Sequence, residues 1–172
     1  MNKKEERFFE QIYVLYADDL YNYGRQMGLG ADDVNDLMHD MFLHFMLKMP
    51  NISKIENLRA FLFYSFHNKI IDLYRKRKSQ KLEFGFFEAE EIIDDTERYS
   101  VAQQIESELN KAIGELPESQ RISLTLRYFQ SFSYDEVAQI IGCTPHAARK
   151  FVSKAVCSLR KKFIDIEKLL NK

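Results

Sequence analysis

The side chains best suited to recognition chemistry lie between His146 and Lys154. His146, Arg149, Lys150, Ser153 and Lys154 fall within nine residues of one another. Arginine and lysine at such spacing can bond phosphate oxygens or the edges of guanine. That chemistry reads a polyanion and breaks no bond. Two other groupings invite chemistry and fail on spacing. Asp32, Asp33, Asp36 and Asp40 could be offered as metal ligands of a small nuclease. Two-metal chemistry needs acids converging in a cleft, and these four follow one another along one helix, where they better explain a helix start and an acidic docking face. Cys143 and His146 make only a pair, whereas zinc takes three or four protein ligands, and neither Cys157 nor His67 has a suitable neighbour. No metal, cofactor or enzymatic activity is therefore expected.

Two short helices with a punctuated joint position the basic residues. Ser133 can cap a helix starting at Tyr134, with Glu136 at the third position completing a capping box. Gly142 suits the left-handed position that ends it. Thr144 caps the next helix, and Pro145 stands where a missing N–H costs nothing. The joint has the length of a helix-turn-helix. On the second helix Ala148, Val152, Ala155, Leu159 and Phe163 share one face. At about 100° per residue, His146, Lys150, Ser153 and Cys157 point away from it, flanked by Arg149 and Lys154. In such motifs the start of the second helix enters the DNA major groove.

Helical period runs through the rest of the chain. Phe8, Ile12, Leu15, Tyr16, Leu20, Tyr23 and Met27 form one stripe, and Gly28 and Gly30 end it. Val34, Leu37, Met38, Met41, Phe42 and Phe45 form a second. The segment 49–57 reads as a loop, because Pro50 disfavours helix before it. A third helix is expected from about Glu56 to Lys78. Helices follow over 101–112 and from Glu118 to about Tyr128. No strand alternation is present, so the fold class is all-α: two small helical domains, at 1–80 and 100–172, joined by an acidic linker at 81–99. The C-terminal domain holds the helix-turn-helix.

Charge is sorted along the chain although its formal net value is only −1. Residues 75–81 carry five bases and no acid, 83–97 seven acids and no base, and 149–162 six bases and no acid. The acidic block should repel free DNA and keep the two basic domains apart. Two cysteines fit a reduced compartment, the N-terminus has acids where a signal peptide has its apolar core, and no run reaches the roughly 20 apolar residues of a membrane span. A soluble cytoplasmic protein with no direct membrane insertion is the expectation.

The third helix is rich in rings, with Phe61, Phe63, Tyr64, Phe66 and Tyr74 interleaved with Lys69, Arg75, Lys76 and Arg77. Rings and cations together suit single-stranded nucleic acid, although each ring taken alone is better read as packing. With these residues on the page the chain resembles the extracytoplasmic-function (group IV) sigma factors of bacterial RNA polymerase, which keep only the second and fourth conserved regions. The second-region resemblance lies in DDVNDLMHDMFLHF (32–45) and NLRAFLFYSFHNKIIDLYRKRK (57–78), and the fourth-region resemblance in 115–162.

The resemblance implies a division of labour. Asp36, Leu37, His39, Asp40 and Phe42 match the segment that docks on core RNA polymerase. Asn68, Lys69, Asp72 and Arg75 match the segment that recognises and opens the −10 promoter element, and loop 49–57 matches a pocket for a flipped-out base. His146, Arg149, Lys150, Ser153 and Lys154 match the helix that reads −35 duplex. His39 departs from a common glutamine, and Phe151 from a common basic or polar residue. The partners implied are core polymerase, promoter DNA and an anti-sigma factor, which in this family is often membrane-anchored. The alternative is a helix-turn-helix transcriptional regulator that never joins polymerase. Such a protein would carry a sensor domain in place of the second-region motifs.

Overall fold

The structure, a computed structural model, describes the backbone over residues 3–48, 54–83 and 101–170 and the side chains over 6–47, 54–78 and 108–164, and among the described residues it has seven α-helices. They are α1 (Lys3–Gln26), α2 (Ala31–Lys48), α3 (Leu58–Glu83), α4 (Val101–Gly114), α5 (Glu118–Leu124), α6 (Tyr134–Ile141) and α7 (Pro145–Leu170). Among the described residues there is no strand, so the all-α expectation holds.

The first three helices pack on one another because each carries an apolar stripe. Leu20, Tyr23, Val34, Met41, Leu62 and Phe66 are buried where those stripes meet. Gly24 sets how closely α1 and α2 approach. A Cβ built there would lie 2.8 Å from Val34 Cγ2 and 3.3 Å from Phe66 Cε1. The stripe on α1 differs from the sequence reading at one position: Leu15 is 67% exposed, and Phe9 is buried in its place. Leu15 sits at the edge of the stripe, where no described helix covers it.

The second unit, α4 to α7, packs mainly through α5 and α6 against α7. Ile113, Leu116, Leu124, Val152 and Ala155 form its own apolar cluster. The expected helix from Glu118 to Tyr128 is not uniform. It is α-helical only to Leu124, and Thr125–Phe129 widens into a π turn, closed by Gln130 N–H donating to Thr125 O at 3.1 Å. The extra residue leaves Leu126 buried while Tyr128 and Phe129 turn outward. A π turn in a helix often marks a functional segment, and apolar spacing alone does not reveal one.

Helix α3 begins at Leu58, two residues later than expected. Asn57 stops it there: its Oδ1 accepts from Ala60 N at 3.0 Å, satisfying one of the N–H groups a helix start leaves open. At the other end α3 runs through the expected boundary at residue 80, to Glu83. Residues 84–99 of the acidic linker and 49–53 of the pocket loop lie outside the described residues.

The expectation that the two halves stand apart is overturned. Helix α6 packs on α3, and Phe132, Val137, Ala138 and Ile140 belong to the same buried cluster as Leu62, Phe63 and Phe66. Apolar burial between the halves outweighs their like charge, because it scales with the area covered while charge between exposed groups is screened.

Candidate nucleic-acid interface

The helix-turn-helix is built as its punctuation requires. Ser133 Oγ accepts from Glu136 N at 3.3 Å, and Ser133 N donates to Glu136 Oε2 at 2.8 Å, completing the capping box. Gly142 takes φ 72° and ψ 42° at the end of α6. Thr144 Oγ1 accepts from Ala147 N at 3.2 Å to start α7. On α7, Ala148, Val152 and Ala155 are buried. His146, Arg149, Lys150, Ser153 and Lys154 are all exposed, and Phe151 is half-buried against the apolar edge. All five candidate residues therefore share one open, basic face.

Arg149 is the residue of this set with a neighbour that orders it. Its Cζ lies 5.1 Å from the centre of the Tyr134 ring, and the Cζ of Arg127 lies 5.0 Å from the same centre. Arg127 Nη1 in turn donates to Phe132 O at 3.0 Å. Tyr128, Tyr134, Arg149, Ser153 and Arg160 border an open groove along α7.

The residues matched to −10 recognition lie on the exposed side of α3. Asn68 and Asp72 face solvent, and Arg75 Nη1 donates to Asp72 Oδ1 at 3.3 Å across one turn. Lys69 is engaged elsewhere: its Nζ donates to Asp40 Oδ2 on α2 at 2.6 Å. That hydrogen bond, together with the ammonium's charge, holds the Asp40 carboxyl below the usual carboxylate range. One residue of the docking set and one of the −10 set are thus a single ion pair.

Of the docking set, Asp36, His39 and Asp40 are exposed and Leu37 is half-buried. Phe42 is 6% exposed and lies beneath Tyr13, whose ring centre is 5.1 Å away. It packs α2 into the core and presents nothing to a partner. The rings of α3 sort in the same way. Phe63 and Phe66 are buried, and the Tyr74 hydroxyl donates to Met27 O at 2.8 Å. Tyr64 is left open at 46% exposure.

His67 and Cys143 serve the packing. The Tyr23 hydroxyl and His67 Nδ1 form a buried hydrogen bond of 2.9 Å. Burial depresses the imidazole to about 4 and pushes the Tyr23 phenol up. Cys143 is half-buried, with its thiol donating to Thr144 O at 3.3 Å. Among the described residues, no group of three or more His, Cys, Asp or Glu is placed to hold a metal.

Sequence reasoning missed Arg59. It spans both units: Nη2 donates to Asp19 Oδ2 at 3.2 Å and to Gln130 Oε1 at 3.0 Å, and Nη1 to Gln130 O at 2.7 Å. The same guanidinium lies 4.4 Å from the Phe132 ring centre and 5.3 Å from that of Phe63. Beside it Asn57 Nδ2 donates to Glu136 Oε1 at 2.7 Å. Burial alone would raise the Glu136 carboxyl, but bonds from the Ser133 N–H, Asn57 and the Ser133 hydroxyl hold it below its ordinary range. A single arginine inside a helix stripe carries no local signal of such a role.

Comparison with known proteins places this architecture. Residues 12–80 match the sigma-70 region 2 model, and residues 106–156 match the sigma-70 region 4 model. Together they take up more than half the chain, which belongs to the sigma-70 family in its two-region extracytoplasmic-function form. Among its relatives is the RNA polymerase sigma factor YlaC of Bacillus subtilis (strain 168), 25% identical over 162 residues that cover 92% of this chain and 93% of that one. The sigma factor CnrH of Cupriavidus metallidurans is 26% identical over 166 residues, covering 90% of this chain and 85% of CnrH. Among solved structures, the sigma factor RpoE of Bartonella quintana, crystallised with the anti-sigma factor NepR, superposes with a TM-score of 0.74. That match is 26% identical and covers 90% of this chain and 96% of that one. The chain is accordingly a sigma factor that directs promoter-specific transcription, and its region 2 match disfavours a stand-alone helix-turn-helix regulator.

Proposed function

We propose that this chain acts as a dissociable, non-enzymatic subunit of core RNA polymerase, with its tasks divided between the two helical units. The observation that carries the division is the exposed basic face of α7 behind a capped, glycine-ended turn. That face enters the −35 major groove, with His146, Arg149, Lys150, Ser153 and Lys154 as its contacts. The open face of α3 (Asn68, Asp72 and Arg75), with Lys69 beside it and paired to Asp40, captures melted −10 DNA, because Asn68 offers both an amide donor and an acceptor to a displaced base. Asp36, Leu37, His39 and Asp40 on α2 dock on polymerase, and Phe42 supports them from within. In this reading 1–80 and 100–172 are the two working domains.

An anti-sigma factor is the regulatory partner by analogy with RpoE, whose structure holds NepR. The site of action is the cytoplasm; no described helix is long and apolar enough to cross a membrane.

The test is to add the purified protein to core polymerase and sequence the transcripts that start. Wild type should start transcription at a discrete set of sites. Asp36→Arg should abolish binding to core polymerase through charge reversal. The double substitution Arg149→Ala, Lys150→Ala should keep that binding and lose promoter choice. Identical start sites with and without the protein would refute the reading.

A further inference from the structure

Arginine is the commonest specific reader of guanine because its planar fork matches two acceptors at once. The fork works only when aimed, and a free arginine side chain has many rotamers to lose on binding. Among the described residues, the cation of the α7 face that lies over an aromatic ring is Arg149, over Tyr134. Tyr134 is the first residue of the other helix of the motif. It is half-buried and packs against both apolar clusters, so the ring is fixed. Arg127 lies over the same ring and is tied to the Phe132 carbonyl. Two guanidinium groups on one ring repel each other, and an approaching phosphate relieves that repulsion.

We propose that Tyr134 is a positioning residue for promoter recognition: its ring holds the Arg149 guanidinium in place before DNA arrives, with Arg127 bracing the ring. The proposal rests on the reading that α7 meets −35 duplex. An exposed cation over an aromatic face contributes modestly, enough for an effect of roughly two- to five-fold on affinity. Because the ring acts through Arg149, its effect must vanish when Arg149 is removed.

The experiment uses holoenzyme assembled from the full chain and core polymerase, with a duplex taken from a promoter returned by start-site mapping. Tyr134→Phe should bind like wild type, and Tyr134→Leu should bind two- to five-fold more weakly with a relaxed preference at one −35 position. In an Arg149→Ala background the Leu and Phe variants should be indistinguishable. Phenylalanines with increasing fluorine content at position 134 keep the ring's shape while draining its negative face, so affinity should fall stepwise with fluorination. That series decides the matter if the Leu variant folds poorly. Normal binding by the Leu variant or a flat fluorination series, alongside a weakened Arg149→Ala, overturns the positioning role and leaves the α7 assignment standing. A Leu effect that persists without Arg149 also overturns it. Normal binding and promoter choice by Arg149→Ala would remove Arg149 as a reader and the proposal with it.

Discussion

His67 lacks the neighbours that a zinc ligand needs. Its surroundings decide for packing: it is buried against Tyr23, and its imidazole is depressed to about 4. This has a consequence for stability. A free histidine in the unfolded chain takes up a proton near pH 6.5, whereas the folded chain resists until about pH 4. Between those values the unfolded state binds more protons, so stability rises with pH across the window and falls as acid is added. The loss should be on the order of 3 kcal/mol by pH 4. Chemical unfolding from pH 7 to pH 4 should show this slope in wild type and lose most of it in His67→Gln. Asp40 and Glu136, held below the usual carboxylate range, contribute stability that is lost at lower pH. An unchanged slope in the variant would show that His67 is not shielded.

At the level of elements, the first unit depends on how closely α1 and α2 can approach. Gly24 supplies the room, since a methyl group there would fall within 2.8 Å of Val34 Cγ2. Inside a helix, glycine costs about 0.5–1 kcal/mol relative to alanine, so Gly24→Ala ought to stabilise α1 if the helix stood alone. In the folded chain the clash prevails, because overpacking a dense core costs about 1–3 kcal/mol. Gly24→Ala should therefore lower the melting temperature. Val34→Ala should itself destabilise, yet the double substitution should be less unstable than the two losses added together. Simple additivity would mean that α2 shifts freely and the glycine is incidental.

For the whole molecule, the contact between the halves turns on Arg59 and Phe132. Phe132 is 2% exposed, with its ring centre 4.9 Å from that of Phe63, and Arg59 covers the pair while bonding Gln130. Arg59→Ala leaves the Gln130 carbonyl and amide oxygen without their donor, costing about 1–3 kcal/mol, and removes two cation–ring contacts. The two units keep their own apolar stripes, so the expected outcome is separation rather than unfolding. Small-angle scattering should show a larger radius of gyration for Arg59→Ala, while circular dichroism should show nearly unchanged helix content. Equal radii for variant and wild type would show that the apolar contact alone holds the halves.

The exposed basic face of α7 and the all-α class could be read from residue order. Helical period, capping boxes, left-handed glycines and proline at a first turn are local, acting within about one helical turn of themselves. The same locality explains what the residue order could not show. Lys69 meets Asp40 from 29 positions away, and Asn57 meets Glu136 from 79 positions away. Arg149 finds its ring on the neighbouring helix. Phe42, which the family resemblance offers as a docking residue, and Phe63, one of the rings that together with cations suits single-stranded nucleic acid, are sealed because other helices lie over them. Nothing in a stripe states which neighbour will cover it. Apolar burial is non-directional, so the partner of each stripe, and with it the contact between the halves, is decided only when the helices pack.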